Sequence, residues 1–184
     1  MPRLIHLNGP SRVGKSTLAR RYVNEHPGTL CLDLDVLVGL IGGWRNDFAA
    51  ALSIARAHAS ALATRHLRDG HDVMFPQLVT IHDDEPDAGL ENAAHAVDAT
   101  YIEVALLVDD DAYEQRLHGK EATNEIEAQI QTWLEDPDSD LADRIRRHFA
   151  AYLADRPDAI RIDTTDLDED ATYARLAGAL AAYR

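Results

Sequence analysis

One cysteine, Cys31, stands among 184 residues. An internal disulfide is therefore excluded, and the chain fits a reducing cytoplasm. No apolar run approaches the ~20 residues that span a bilayer. The first residues carry Arg3 and a short strand pattern, without an h-region or a small-residue cleavage site. The expectation is a cytoplasmic protein with no secretory leader and no membrane contact. Positive charge is scarce too: Lys and Arg number 18 against 32 Asp and Glu, for a formal charge of −14. Phosphate backbones are held by Lys and Arg, so this balance argues against a nucleic-acid partner. Lysine is rarer still, with Lys15 and Lys120 alone against a background of arginines. The nine histidines include no H-x-x-x-H pair, and Cys31 has no cysteine partner, which argues against a transition-metal site. His6, His58 and His66 read as structural, and no Ser-His-Asp set stands out.

What is present is a globular composition, 46% apolar, of a length that makes one core. Residues 1–184 read as a single domain, as a monomer or homodimer. Short apolar runs alternate with helical patterns. "RLIHLN" predicts a first strand, and Lys15 to about Glu25 a first helix. "GTLCLDLDVLV" predicts a second strand. Residues 46–68 form an Ala-rich helical pattern, with Asn46 as its N-cap and Gly70 as its stop. "HDVMFPQLV" predicts a third strand that loses its ladder at Pro76. "TYIEVALLV" and "AIRIDTT" predict a fourth and a fifth, and "DEDATYARLAGALAAYR" a last helix. Residues 110–155 are helical, polar and split near Pro137, as expected of a helical lid on the sheet edge. The alternation implies an α/β, three-layer fold: a five-stranded parallel sheet with helices on both faces.

"GPSRVGKS", residues 9–16, fits G-x-x-x-x-G-K-[ST] at every specified position. Gly9 and Gly14 let the chain wrap until backbone N–H groups converge on one anion. The following helix aims its positive end at the same point. Ser11, Arg12, Val13 and Thr17 complete the predicted phosphate-binding run. Lys15 reaches the outer phosphates as a point charge, and the Ser16 hydroxyl suits Mg²⁺. The expected ligands are a nucleoside triphosphate and Mg²⁺. In "CLDLDVL", Asp33 and Asp35 lie two apart, on one face at the carboxyl end of the predicted second strand. Ligands of open α/β sheets bind at that end. Asp35 is the expected base for an attacking hydroxyl, and Asp33 the expected metal or orienting partner.

"HLNGPSRVGKSTLA", then "LDLDVL", then a long helix ending "LRDGHDVMF", resembles the P-loop small-molecule kinases of the nucleoside-monophosphate-kinase-like group. Chloramphenicol phosphotransferase, shikimate kinase and gluconate kinase are members. The resemblance implies the P-loop NTPase fold, ATP with Mg²⁺, and a hydroxylated small molecule as partner. It also implies that the turn "RIDTTDLDED", with Thr165, lies beside adenine. In that group the strand-two aspartate often serves as base, which matches Asp35. Two cations spaced like Arg116 and Lys120 open the lid, the first near adenine and the second at phosphates. "DRIRRHF" supplies Arg144, Arg146 and Arg147, from which a returning lid arm offers one more cation. Many such kinases carry an acid near the end of strand three, where this chain has Pro76 and Gln77. "FPQLV" is similar to a "PxxLV" run of tunicamycin-resistance proteins.

For the acceptor, "LVGLIGGWRNDF" offers Trp44 and Phe48 to flank a ring and Arg45 to meet a polar group. Arg56 and Gln77 are further substrate candidates, and Trp133 reads as packing. The expected activity is transfer of the γ-phosphoryl group of ATP to a hydroxyl of a metabolite, nucleoside or antibiotic. The alternative is a nucleotide-binding resistance protein that sequesters its ligand without transfer.

Overall fold

The computed structural model describes residues 1–79, 88–119, 122–136 and 138–183. The elements in order are β1 (Arg3–Asn8), α1 (Lys15–Glu25), β2 (Leu30–Cys31), α2 (Leu34–Gly39), α3 (Phe48–Arg68) and β3 (Val73–Pro76). Then come α4 (Ala88–His95), β4 (Thr100–Leu107), α5 (Asp110–His118), α6 (Glu125–Leu134), α7 (Leu141–Ala154), β5 (Ile160–Asp163) and α8 (Glu169–Ala181). The strands form one sheet in the order β2-β3-β1-β4-β5, and every pairing is parallel.

β1 is central and buried at all six positions, because a parallel strand under helices has no solvent side. Its alternation sends Leu4 to one face and Ile5 and Leu7 to the other. On the first face, α3 presents Ala51, Ala55, Ala59, Ala63 and Leu67, all buried and each four residues apart. Small side chains at that spacing let the helix backbone lie close over Leu4, Val73 and Phe75. On the second face, Leu18, Ala19 and Tyr22 of α1 join Tyr173, Leu176 and Leu180 of α8. The sheet with helices on both faces is the architecture the alternation implies.

Several boundaries differ from expectation. The second strand ends at Cys31, and Leu34–Gly39 is a helix. Asp33 explains the switch: its side chain accepts the N–H of Asp35 at 3.1 Å, an N-cap that stops the strand. Leu34 and Val38 are then buried four apart, a helical spacing. Asp47, not Asn46, caps α3, accepting the N–H of Ala50 at 2.9 Å. Gly70 follows the helix with a left-handed φ of 89°, as a stop requires. The third strand is shorter than predicted and closes at Pro76, after which the N–H of Gln77 still reaches the Leu7 carbonyl at 3.1 Å. The lid segment is helical throughout α5, α6 and α7; its expected break at Pro137 lies outside the described residues.

The alanine stripe of α3 makes a direct prediction. Ala59→Leu forces a side chain between α3 and the sheet, where Ala59 is wholly buried, and should cost roughly 1–3 kcal/mol. Urea denaturation followed by circular dichroism checks this, with the exposed Ala61→Leu as the neutral control.

Candidate functional site

The loop after β1 is shaped by its glycines. Gly9 has φ 154°, and a Cβ there would meet the Leu106 carbonyl oxygen at 2.9 Å and Val13 Cγ2 at 3.0 Å. No side chain fits. Gly14 has φ 96° and stands at the N-cap of α1, so the loop turns straight into the helix whose free N–H groups face the anion site. Arg12 adopts a left-handed φ of 68°. Asn8, at the end of β1, braces the loop. Its Oδ1 accepts the N–H of Gly9 and the N–H of Val79, both at 2.9 Å. Its Nδ2 donates to Glu103 Oε1 at 2.9 Å.

Glu103 is a buried carboxylate in the middle of β4. Arg156 Nε lies 3.6 Å and His6 Nδ1 3.9 Å from it. His6 Nε2 also meets the Gln77 carbonyl at 2.9 Å. The structural role expected of His6 has this geometry. Asn8 and Glu103 were not among the sequence-level candidates, although a polar residue inside each of two apolar strands is a legible signal.

A cavity of about 490 Å³ opens at the carboxyl ends of the central strands. Ser11, Arg12, Gly14, Lys15, Ser16 and Thr17 line one side, with Asp35, Arg56 and Gln77 in the same wall. These residues come from the phosphate loop, α2, α3 and the exit of β3, and the fold brings them together. Lys15 Nζ donates to the carbonyls of Gly9 at 2.8 Å and Pro10 at 2.7 Å. Burial lowers its pKa to about 8, against the opposing pull of Asp35 and Asp33. Burial raises Asp35 to about 6. Asp33 and Glu127 add to the rise, while Lys15 opposes it. Asp33 is set back from this wall, capping Asp35 with one oxygen while the other lies 3.8 Å from Arg20.

A second cavity, of about 190 Å³, lies on the other flank of the loop. Arg12, Gly14 and Thr17 line it together with Arg116 and Thr164. Arg116 Nη1 donates to Thr164 Oγ1 at 2.8 Å, and Nη2 to the Thr165 carbonyl at 3.2 Å. The start of the lid is thereby tied to the turn after β5. Thr165 was the sequence choice, but strand alternation buries Thr164 instead. The Thr165 hydroxyl faces away and accepts the N–H of Asp109 at 3.0 Å.

Other expectations are corrected. Trp44 is 6% exposed and packed in the core under α2 and α3. Arg45 lies over its ring and pairs with Glu125 on the surface; neither lines the cleft, because Trp44 is drawn into the core cluster and Arg45 to Glu125. Trp133, read as packing, is 37% exposed, meets Phe48 edge-on at 5.1 Å, and lines the cleft. Arg144 and Arg147 are exposed and 3.5 Å from Asp140. Arg146 sits 3.0 Å from Asp110 and over the Tyr113 ring. Carboxylates of the lid segment thus hold all three, and Arg146 lines a cavity of about 460 Å³ together with Pro10 of the phosphate loop. Lys120 lies outside the described residues.

A family model described as AAA domain matches residues 4–139. No curated protein matches the chain. Among solved structures, a candidate kinase from Chloroflexus aurantiacus j-10-fl is similar at a TM-score of 0.63 and 18% identity, over 98% of this chain and 97% of that one. The tunicamycin resistance protein of Deinococcus radiodurans aligns at 0.57 and 16%, over 98% and 97%. The APS kinase of Mycobacterium tuberculosis, in complex with AMPPNP and APS, aligns at 0.57 and 18%, over 98% of each chain. The fold is that of the P-loop kinases.

The geometry at Gly9 makes a prediction. Gly9→Ala should lower AMPPNP affinity at least tenfold by titration calorimetry, because the added Cβ displaces the loop. Gly42→Ala, with nothing within 4 Å of its Cβ, should leave the affinity unchanged.

Proposed function

The chain belongs to the AAA domain family, and on that footing we propose that it is an ATP-dependent phosphotransferase acting on a hydroxyl of a small molecule. One observation carries the reading: Lys15 and Asp35 line a single cleft with the phosphate loop, and each shifts the other's ionisation. The APS kinase of like fold was solved with AMPPNP, an ATP analogue, which supports ATP as the donor here.

In this reading the N–H groups of residues 9–17 and the Lys15 ammonium hold the phosphates. Lys15 leaves the Gly9 and Pro10 carbonyls to do so. Arg116 and Thr164 border the pocket for the base. Asp35 accepts the proton of the acceptor hydroxyl while that oxygen bonds to the γ-phosphorus. The bond from that phosphorus to the bridging oxygen breaks, and ADP leaves with the electron pair. Asp33 holds Asp35 in place through the cap.

The donor set suits Mg²⁺. Ser16 offers a hydroxyl and Asp33 and Asp35 carboxylates, while no group of three His, Cys, Asp or Glu gathers among the described residues. Mg²⁺ keeps several waters and takes few protein oxygens, so Ser16 with Asp33 or Asp35 would hold it. It would supply positive charge beside the β- and γ-phosphate oxygens. No helix among the described residues is long and apolar enough to cross a membrane.

The sequestering alternative is motivated by Gln77, which stands in the cleft wall where many such kinases carry an acid. A single assay separates the two: incubate with ATP and a panel of alcohols, and weigh the products for a gain of one phosphate. Asp35→Asn should lower kcat by about 10²–10⁴ and leave ATP affinity intact. Normal turnover in that variant contradicts the base assignment, and tight alcohol binding without a mass gain in the unaltered protein favours sequestration.

The pH profile follows from the two shifts. Asp35 is a base only when deprotonated, above about 6; Lys15 is a cation only below about 8. The plot of kcat/KM against pH should therefore rise through the first value and fall through the second. Asp35→Asn should remove the lower limb.

A further inference from the structure

The half of the cleft facing away from the phosphate loop has a composition of its own. Phe48 and Leu52 of α3 and Ile130 and Trp133 of α6 form one apolar wall, continued by Ile145 of α7. Trp133 is the most exposed of them, and its ring stands at 81° to that of Phe48. A planar group could stack on the Trp133 face with its edge toward Phe48.

Among the lining residues outside the phosphate loop, charge is sparse and not positive in sum. Lys15 is held by the Gly9 and Pro10 carbonyls and Arg12 donates to Gln131 of α6, so Arg56 is the remaining described cation in the lining. Asp35 and Glu127 bring two carboxylates to the same lining. A phosphomonoester or a sugar acid would bring one to two further negative charges into that field, and recognition of such groups calls for paired Arg or Lys donors. Gln77 instead offers a neutral amide, which suits hydroxyl, amide and ring-nitrogen groups.

We propose that the acceptor is an uncharged alcohol bearing a planar ring, held by Trp133 and Phe48, and that phosphorylated and carboxylated alcohols are rejected. This rests on the reading that the cleft takes a phosphoryl acceptor, yet it concerns recognition and not transfer. Trp133 is its specificity-determining residue. The ring lies against the wall of α3 and α6, and the hydroxyl points toward Asp35.

Direct binding tests this apart from catalysis. Fill the nucleotide site with AMPPNP and Mg²⁺, so that no transfer occurs and no probe competes for the base pocket. Use Trp44→Phe as background, because Trp44 is buried in the core and Trp133 then reports alone. Titrate two matched sets: thymidine against thymidine 5′-monophosphate, and phenyl glucoside against glucose and gluconate. The expected result is a change in Trp133 fluorescence with thymidine and phenyl glucoside, at Kd values at least tenfold below those of their charged or ringless counterparts. By calorimetry, Trp133→Ala should weaken both probes tenfold or more, Trp133→Phe should restore most of the loss, and AMPPNP affinity should stay within twofold in each variant. Equal or reversed preference within the sets overturns the proposal, as does binding indifferent to Trp133→Ala or no binding by either ring-bearing probe. Binding with this preference but without phosphate gain in the mass assay would keep the proposal and remove the phosphotransferase reading. Transfer to gluconate or thymidine monophosphate would do the reverse.

Discussion

The site depends on one interaction: the charge of Lys15, carried into a confined cleft and answered there by carboxylates and carbonyls. Burial disfavours the ammonium ion. The Gly9 and Pro10 carbonyls accept its protons, and the fields of Asp35 and Asp33 favour its charge. The same burial disfavours the Asp35 carboxylate, which Lys15 in turn favours. An ammonium that gives up its proton more readily and a carboxylate that is a better base than an ordinary one, each poised within reach of neutral pH, arise from one arrangement and not from two separate devices.

The scaffold exists to hold that arrangement still. Gly9 brings the loop against β4 where any Cβ would collide with the Leu106 carbonyl. Asn8 ties the same glycine to Val79 and to the buried Glu103, so the loop and the exit of β3 move as a unit. A half-satisfied buried network is costly, and Glu103 gains Arg156 and Asn8 as partners. The apolar faces of α1 and α3 clamp the sheet from both sides. The charge of Lys15 thus sits on a braced floor, while α6 and α7 form the other side of the cleft.

Local signals were read well where one signal had one meaning. β1 and α1 begin and end where the apolar run and the glycine motif place them, because loop, strand and helix there agree at every level. "CLDLDVL" has two meanings. Its alternation suits a strand, yet Asp33 offers the backbone a cap, and Leu34 and Val38 suit a helix; the cap won, since tertiary context decides between two locally acceptable patterns. The carboxylates were found, and their element was not. Trp44 and Trp133 exchanged roles for another reason. Which ring faces the cleft depends on how α6, some eighty residues further along, packs beside Phe48, and no local pattern carries that. The lid arginines have partners that spacing alone does not reveal: Asp110, Asp140 and Asp143 are near enough to hold them, in a chain where acids outnumber bases.

The most direct measurement is the ionisation of Asp35 itself, followed through its carboxyl carbon by nuclear magnetic resonance in the protein free of ligands. The account predicts a midpoint at about 6, moving higher in Lys15→Met, because the lysine charge favours the ionised form. A midpoint near that of an ordinary aspartate, indifferent to the loss of Lys15, would mean that the two groups do not share a site, and would contradict the account.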